Sequence, residues 1–318
     1  MKQIVKLFSR QGRSKDKSTW LPFAACTLLL LFAGSAYGQQ DPLYSQYLNT
    51  PMIINPAYAG FSRDLNLSLN YRKQWAGFDG SPQTTNLSGH MSLSQNKMGV
   101  GAILLQDKIG ASTTTELQGV YAYHLPLTNE IKLSFGLQAG VINYKSDYSQ
   151  LIINPNDPKF ATVSELQPNL GAGFMITHLN YLVAASLPKM LQPSTNAGVQ
   201  GLYSQNFYAL GAYVFSISPR LRLKPYMLYR SVAKLKSSFD LGLMLMGDDS
   251  YTIGLFTRSF NTYGFLGQLK IGELLRLGYV FELPTNQSAG TSFTSHEIQL
   301  GLRIRALLYH DIESIRNF

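Results

Sequence analysis

Side-chain polarity alternates along most of this chain. Beyond the first sixty or so residues, segments of roughly ten residues alternate apolar with polar and are separated by short breaks, about fourteen times in succession. The first segment reads Leu65, Asn66, Leu67, Ser68, Leu69, Asn70 and Tyr71. Because successive side chains of a strand point to opposite faces, each segment would have one apolar and one polar face. The chain is therefore expected to be all-β.

Strand length separates two all-β architectures that share this alternation. A soluble sandwich would turn its apolar face to a core, whereas a membrane barrel would turn it to lipid. The apolar-polar segments at residues 131–144 and 203–217 are longer than ordinary globular strands and suit about 9 to 11 tilted residues across a bilayer. The sequence therefore favours a transmembrane antiparallel up-and-down β-barrel.

The N-terminus has the pattern of a secretory signal peptide, at residues 1–38. Six basic residues precede an apolar run from Trp20 to Phe32, and the small residues Ala36 and Gly38 stand three and one before Gln39. An N-terminal anchor helix is the alternative, but the run is short and ends in a cleavage-like site. The pattern predicts export.

Charge and cysteine usage exclude two further classes once residues 1–38 are removed. The formal net charge of the full chain is +9, and six basic residues with one Asp in the signal region account for +5, which leaves +4. The remaining charges are scattered, so no nucleic-acid partner is expected. The one cysteine, Cys26, lies inside the apolar run, which leaves no thiol chemistry to the processed chain. Lipid attachment at Cys26 is the alternative, although such a cysteine normally follows the run.

The breaks between strands alternate long and short, as do the outside loops and periplasmic turns of outer-membrane barrels. This pattern predicts about fourteen strands within residues 63–306, with both termini periplasmic and a periplasmic tail at 307–318. Residues 39–62 precede the barrel and contain Pro42, Pro51 and Pro56, which oppose regular structure. That segment is expected to be a periplasmic arm, either as a plain lead-in or as a plug or contact strip.

Several short strings, taken in order, resemble the PorP/SprF family of Bacteroidota. They are Asn55-Pro56-Ala57-Tyr58-Ala59-Gly60, Tyr71-Arg72-Lys73-Gln74-Trp75-Ala76-Gly77-Phe78, Gly80-Ser81-Pro82-Gln83-Thr84, Asp107-Lys108-Ile109-Gly110 and Ser295-His296-Glu297-Ile298. The penultimate strand departs from the family pattern, because it has Gly278-Tyr279-Val280-Phe281-Glu282 where Gly-Tyr-Ser-Tyr-Asp is expected. The acid is thus retained but lengthened.

The resemblance implies a non-enzymatic outer-membrane barrel of the type IX secretion system. Such a protein would serve in the export or surface attachment of large proteins, in some cases gliding adhesins. Its partners would be a secreted cargo protein with a type IX C-terminal domain and other secretion components at the periplasmic face. It would have no cofactor.

The family-like strings converge on one mouth of the predicted barrel, at outside loops or the strand ends beside them. Two interpretations apply to this rim: its charged residues pair with one another to hold the loops, or the rim binds cargo. The residues predicted to contact a partner are Trp75, Phe78, Asp107, Lys108, His296 and Glu297.

Catalysis and solute transport are the competing functions. His90 and Ser92 share a strand face, but they would face the lumen at about 7 Å spacing, and neither a nucleophile elbow nor metal-ligand spacing is present. We therefore expect no catalytic or metal residues. A general porin or solute channel remains an alternative, because about fourteen strands enclose a real lumen, and Arg222, Lys224, Arg230, Arg276, Arg303 and Arg305 would face it.

Overall fold

The structure is a computed structural model that describes residue 45 and residues 47–62, 64–94, 96–147, 162–191, 205–233, 236–248, 250–285 and 293–304. All of these belong to one compact unit, residues 40–318. The predicted signal peptide with Cys26, the predicted tail at 307–318 and the arginine at 305 lie outside the described residues, so the predicted segment boundaries stay predictions.

In the described part of the chain, fifteen strand segments follow two short 3-10 helices, Pro51–Ile53 and Pro56–Tyr58. The strands are β1 (Leu65–Lys73), β2 (Gln83–Leu93), β3 (Met98–Ile109), β4 (Ser112–Pro126), β5 (Lys132–Ser146), β6 (Val163–Thr177), β7 (Tyr181–Lys189), β8 (Asn206–Tyr213), β9 (Phe215–Ser218), β10 (Leu221–Val232), β11 (Ser238–Gly247), β12 (Tyr251–Arg258), β13 (Thr262–Ile271), β14 (Leu275–Pro284) and β15 (Ser295–Ile304). Only Val214 separates β8 from β9, and both pair with β10, so together they count as one strand.

Every strand pairs antiparallel with its neighbours in sequence, and the sheet closes on itself. The first and last strands meet along their length, from Leu65 opposite Ile304 to Lys73 opposite His296. The pairing of β10 with β11 completes the ring. The predicted closed antiparallel barrel of fourteen strands is confirmed.

The barrel is polar inside and apolar outside. On β1, Ser68, Asn70 and Arg72 are buried, whereas Leu69 and Tyr71 between them are 43% and 42% exposed. The same inversion recurs on the other strands, so large apolar side chains make up the outer face. A water-soluble β-protein would bury this apolar set. The outer face is therefore built to contact hydrocarbon.

The two rims of the barrel differ in their connections. One rim, the short-turn rim, has turns of at most five residues, at 94–97, 127–131, 178–180, 219–220, 248–250 and 272–274. It also contains the start of β1 and the end of β15. The opposite rim, the long-connection rim, has connections at 74–82, 110–111, 147–162, 190–205, 233–237, 259–261 and 285–294.

The alternation of long and short breaks is less regular than the sequence predicts. The connection between β3 and β4, on the rim of the long connections, is a turn of only Gly110 and Ala111, because Asp107 and Lys108 continue to pair with β4 and Gly110 adopts a φ of +56°. The predicted strand at 203–217 is interrupted at Val214.

Outward tyrosines lie near both rims, as the aromatic belts of membrane barrels do. Tyr71 and Tyr263 lie near the long-connection rim, and Tyr121 and Tyr251 lie near the other. Tyr144, near the long-connection end of β5, instead points inward, where its hydroxyl shares a hydrogen bond with Ser112 (2.9 Å). Among the described residues, no helix is long and apolar enough to span a bilayer.

Replacing an outward leucine by arginine tests the lipid-facing assignment. Leu137, near the middle of β5, is 62% exposed, and Leu137→Arg should lower the free energy of unfolding by about 2–4 kcal/mol because the charge would enter hydrocarbon. Urea unfolding in phospholipid vesicles, followed by the fluorescence of Trp75, measures the change.

The matched control is Leu127→Arg, at an exposed leucine in the turn after β4. Its expected cost is at most about 1 kcal/mol, since it lies at the interface. Equal costs at Leu137 and Leu127 would mean that the outer face contacts water.

Candidate functional site

Ser45 and residues 47–62 lie inside the barrel, and we call them the lumenal segment. Tyr47, Met52, Ala57 and Ala59 are each at most 2% exposed, since barrel side chains surround them. The segment runs from the wall of β12–β15 near the long-connection rim to the wall of β3–β6 near the short-turn rim. Irregular backbone at membrane depth is tolerated here because it is enclosed in protein.

Prolines and an asparagine fix the shape of the lumenal segment. Pro51 and Pro56 each begin a 3-10 turn, where a missing N–H costs nothing. The Asn55 side chain caps the second turn by accepting from the Ala57 N–H (2.9 Å), and its own amide donates to the Phe174 carbonyl on β6 (3.1 Å). The residues that oppose regular secondary structure thus fold the lumenal segment into a compact shape whose polar groups find hydrogen-bond partners nearby.

Glycines on three strands let the segment approach the barrel wall. A Cβ added at Gly136 on β5 would overlap the backbone at Pro56 and Ala57, and one at Gly99 on β3 would overlap the backbone of Ala59. At Gly173 on β6 it would overlap the Asn55 side chain. The wall is therefore shaped for this segment, because any other residue would push it away.

Two histidines on the wall bind the backbone of the segment near the short-turn rim. The Gly60 N–H donates to Nδ1 of His90 (3.1 Å), and Nε2 of His124 donates to the Ala59 carbonyl (2.9 Å) while its Nδ1 accepts from Ser134 (2.7 Å). Gly60 has a φ of +66° and lies against the backbone of β2 and β3, so it is the turn into β1. Both histidines thus have a docking role.

Near the long-connection rim, five charged residues form a buried cluster, which we call the ion cluster: Arg72, Asp240, Arg258, Glu282 and Glu297. Arg72 bridges Glu282 (2.6 Å) and Glu297 (3.2 Å), and Arg258 contacts Asp240 (3.1 Å) and Glu282 (3.4 Å). All five come from the long-connection ends of β1, β11, β12, β14 and β15. Arg72 and Glu297 thus pair with each other, as one of the two interpretations of the rim expects of its charged residues.

The lumenal segment completes the ion cluster. The Ser45 N–H donates to Glu297 (2.9 Å), and its hydroxyl donates to Glu282 and accepts from Arg72 (3.1 Å) and Arg258 (3.2 Å). The Tyr47 hydroxyl donates to Asp240 (3.4 Å). Burial and the Asp240 carboxylate raise the pKa of Tyr47 well above its ordinary value, so the hydroxyl keeps its proton. Charges this deeply buried need such partners.

The six residues predicted to contact a partner fall into two groups. Trp75 and Phe78 lie in the 74–82 connection, where the Trp75 N–H donates to Ser295 (3.2 Å) and the Phe78 ring packs edge-on against Phe293 (5.9 Å). Lys108 is exposed on the outer face. His296 also faces outward and shares a hydrogen bond with the Tyr279 hydroxyl (2.7 Å).

Asp107 and Glu297 form the second group, and they point into the lumen. Asp107 accepts from the Thr84 hydroxyl (2.6 Å), and Glu297, 1% exposed, belongs to the ion cluster. The structure therefore brings Trp75 and Phe78 together with Phe293 at the rim, and keeps the two carboxylates apart from that surface. Partner binding by these residues stays a prediction.

The sequence pattern does not distinguish Asp240 and Arg258 from other inward residues, although both lie at inward-facing positions of β11 and β12. Their role depends on register between strands distant from β1, which alternation does not give. Among the described residues, no group of three or more His, Cys, Asp or Glu is placed to hold a metal ion. Ser92 donates to Asn96 (2.7 Å) and His90 accepts from Gly60, so these two do not pair with each other.

A closed antiparallel barrel with an apolar belt and a polar, charge-bearing interior defines an outer-membrane protein. Residues 36–302 match the family described as type IX secretion system membrane protein PorP/SprF. The chain belongs to that family. No curated protein sequence matches the chain.

Solved outer-membrane barrels are similar in fold. Omp33 of Acinetobacter baumannii is 13% identical, with 77% of this chain and 99% of that chain covered and a TM-score of 0.42. The monoaromatic hydrocarbon channel CymD is 9% identical, with 86% and 96% covered and a TM-score of 0.49. The toluene transporter TodX of Pseudomonas putida is 9% identical, with 81% and 94% covered and a TM-score of 0.47.

Arg72→Met tests whether the ion cluster holds the segment and the wall together. The substitution leaves Glu282 and Glu297 buried without the cation between them, so the free energy of unfolding should fall by about 3–5 kcal/mol. Urea unfolding measures the loss, and limited proteolysis should show faster cleavage within the lumenal segment.

Arg220→Met provides the comparison, because its side chain is 84% exposed and its pairing with Asp248 is long (3.8 Å). It should leave the unfolding midpoint unchanged. A midpoint for Arg72→Met equal to that of the wild type would contradict the role given to the ion cluster.

Proposed function

We propose that this protein is a non-enzymatic component of the type IX secretion system that binds a secreted protein, or its C-terminal domain, for export or surface attachment. The long-connection rim would face the outside of the cell and the short-turn rim the periplasm, where other secretion components would contact it. A gliding adhesin is one kind of cargo that we expect for such a protein.

The observation that supports binding over transport is the lumenal segment. A general porin needs a continuous water path, and here Ser45 and residues 47–62 pack against β3–β6 at one end and the ion cluster at the other. Segment and wall are complementary in shape, hydrogen bonding and charge. Such a fit favours a barrel that binds a partner protein over one that conducts solutes.

The surface most suited to a protein partner is the aromatic part of the long-connection rim. Phe78 is 57% exposed even though it packs on Phe293, and Trp75 lies three residues away with a φ of +52°. Hydrogen bonds from Gln74 to Pro82 (3.0 Å) and from Ala76 to Thr294 (2.7 Å) fix this connection. Rigid exposed aromatics make good interface anchors because little entropy is lost on binding.

Lys108 and His296 would contact the partner at the margin of that surface. Asp107 and Glu297 would instead stabilise the barrel wall beneath the rim. Both carboxylates are buried and already accept hydrogen bonds, so a partner would have to displace those contacts first. We therefore assign partner contact to Trp75, Phe78, Lys108 and His296, and support of the rim to Asp107 and Glu297.

Conductance in planar bilayers tests the choice between binding barrel and porin. The wild-type barrel should carry little steady current, and Gly136→Ala should raise the current because the new methyl group displaces the backbone at Ala57. Gly211→Ala is the matched control, since a Cβ there meets nothing within 4 Å, and it should behave as the wild type. A large steady current through the wild-type protein would favour the porin.

Copurification from native outer membranes tests partner binding. Mass spectrometry should find a secreted protein bound to the wild-type barrel, and Trp75→Ala combined with Phe78→Ala should lower its recovery by about tenfold, as loss of interface anchors does. Phe260→Ala, at an exposed aromatic in another connection of the same rim, should not change recovery. Recovery of lipid without any protein would count against the proposal.

A further inference from the structure

Three lysines lie in one row on the outer face of the barrel, at the long-connection ends of β1, β3 and β5. They are Lys73, Lys108 and Lys145, and each follows the outward period of its strand. Gln83 on β2 and Thr113 on β4 stand between them in the same register, and we call these five residues the lysine row. Since adjacent strands are about 4.8 Å apart, successive lysines are about 10 Å apart.

The charge of the lysine row is not balanced by acids on the outer face. Every acid of the described strands is at an inward position: Asp107, Glu116, Glu165, Asp240, Glu282 and Glu297. Asp147 lies two residues beyond Lys145 and does not pair with it, and among the described residues no ion pair includes any of the three lysines. Their ammonium groups therefore face the surroundings of the barrel.

Polarity falls in two steps below the lysine row. The next row away from the rim consists of Tyr71, Thr85, Gln106, Thr115 and Asn143. The row after that consists of Leu69, Leu87, Leu104, Leu117 and Val141, which are between 39% and 54% exposed. A bilayer changes in the same order, from head groups through the interface to hydrocarbon. The lysine row is therefore at the level of the lipid head groups.

The lysines occupy only one arc of the rim. On β8 and β10–β14, the outward side chains nearest the same rim are aromatic, aliphatic or hydroxyl-bearing. They are Phe207, Ser231, Phe239, Thr257, Tyr263 and Leu283. A general attraction to head groups would not restrict cations to one arc, so the arrangement indicates a lipid bound at one place.

The outer wall below the lysine row also has room for acyl chains. Gly89, Ala102, Gly119 and Ala139 form one row across β2–β5, with rows of larger side chains on both sides of it. Hydrocarbon chains gain dispersion contacts where they pack closely against such a depression. The lysines define the site, and the depression continues it toward the middle of the bilayer.

We propose that this arc binds a membrane lipid whose head group carries phosphate, in the leaflet at the long-connection rim. The ammonium groups of the three lysines contact the phosphate oxygens, because their flexible stems let neighbouring lysines converge on one head group. Gln83 and Thr113 donate hydrogen bonds beside them. The site goes beyond the proposed binding of a secreted protein, and only Lys108 belongs to the margin of both surfaces.

Native mass spectrometry of the delipidated full chain in an uncharged detergent tests the site. The probes are tetraoleoyl cardiolipin, which has two phosphates, and dioleoyl phosphatidylcholine, which is zwitterionic. The wild type should bind one cardiolipin at least about tenfold more tightly than phosphatidylcholine. Lys73→Gln combined with Lys145→Gln should weaken cardiolipin binding about tenfold or more, because two ammonium contacts are lost. Lys108 is left in place because it is also assigned to the partner surface.

The control for the loss of charge is Lys97→Gln combined with Arg220→Gln, which removes two exposed cations from turns of the opposite rim. Its affinity for cardiolipin should stay within about twofold of the wild type, since exposed charges distant from the site are screened. Should the double variant of the lysine row fail to fold, Lys145→Gln alone, at an exposed position, should weaken binding about fivefold.

Equal weakening in the control variant would overturn the site, because binding would then respond only to overall charge. Equally tight binding of phosphatidylcholine to the wild type would overturn it as well. Displacement of cardiolipin by an equal concentration of inorganic pyrophosphate would show a site for free phosphate instead of a lipid. None of these results bears on copurification of a protein through Trp75 and Phe78, so the two proposals fail separately.

Discussion

Closure of the backbone hydrogen-bond ring is the constraint on which the rest of the structure depends. In hydrocarbon an unpaired N–H or C=O costs several kcal/mol, so a sheet can span a bilayer only if its edges meet, as β1 and β15 do here. Closure then dictates the inversion of polarity, because one side of every strand must face lipid. Arg72 and Leu69 are thus placed by the same requirement, although one is buried and the other exposed.

A closed ring of fourteen strands creates an interior that must be filled or hydrated. In the half toward the long-connection rim, this protein fills it with paired charges and with its own N-terminal residues. Ser45 supplies donors and an acceptor where two cations and three acids meet, so its backbone N–H and its hydroxyl complete hydrogen bonding that side chains of the wall begin. Glu282 belongs to this network, where the longer side chain noted in the sequence reaches both Arg72 and Arg258.

The sequence predicts the parts of this fold that depend on local pattern. The two-residue period and the breaks between segments predict the number of strands and inward residues such as Arg222 and Arg276, since a strand's faces are read from neighbours in the chain. They do not predict the break at Val214, the tight turn at Gly110, or the contact of Gly136 with Ala57. Those depend on pairings and close approaches between residues distant in sequence, which a single chain's alternation does not encode.

The lumenal segment connects the two ends of the barrel in a way that strands alone would not. Ser45 belongs to the ion cluster near the long-connection rim, while Asn49 and Thr50, a few residues later, line a cavity of the lumen that opens at the short-turn rim. Pro51 and Pro56 restrict the backbone between these points and the docking histidines, so the segment has little freedom to adjust at one point alone. The contacts of Ser45 with the ion cluster and the inner boundary of the cavity are therefore made by one short, restricted stretch of chain.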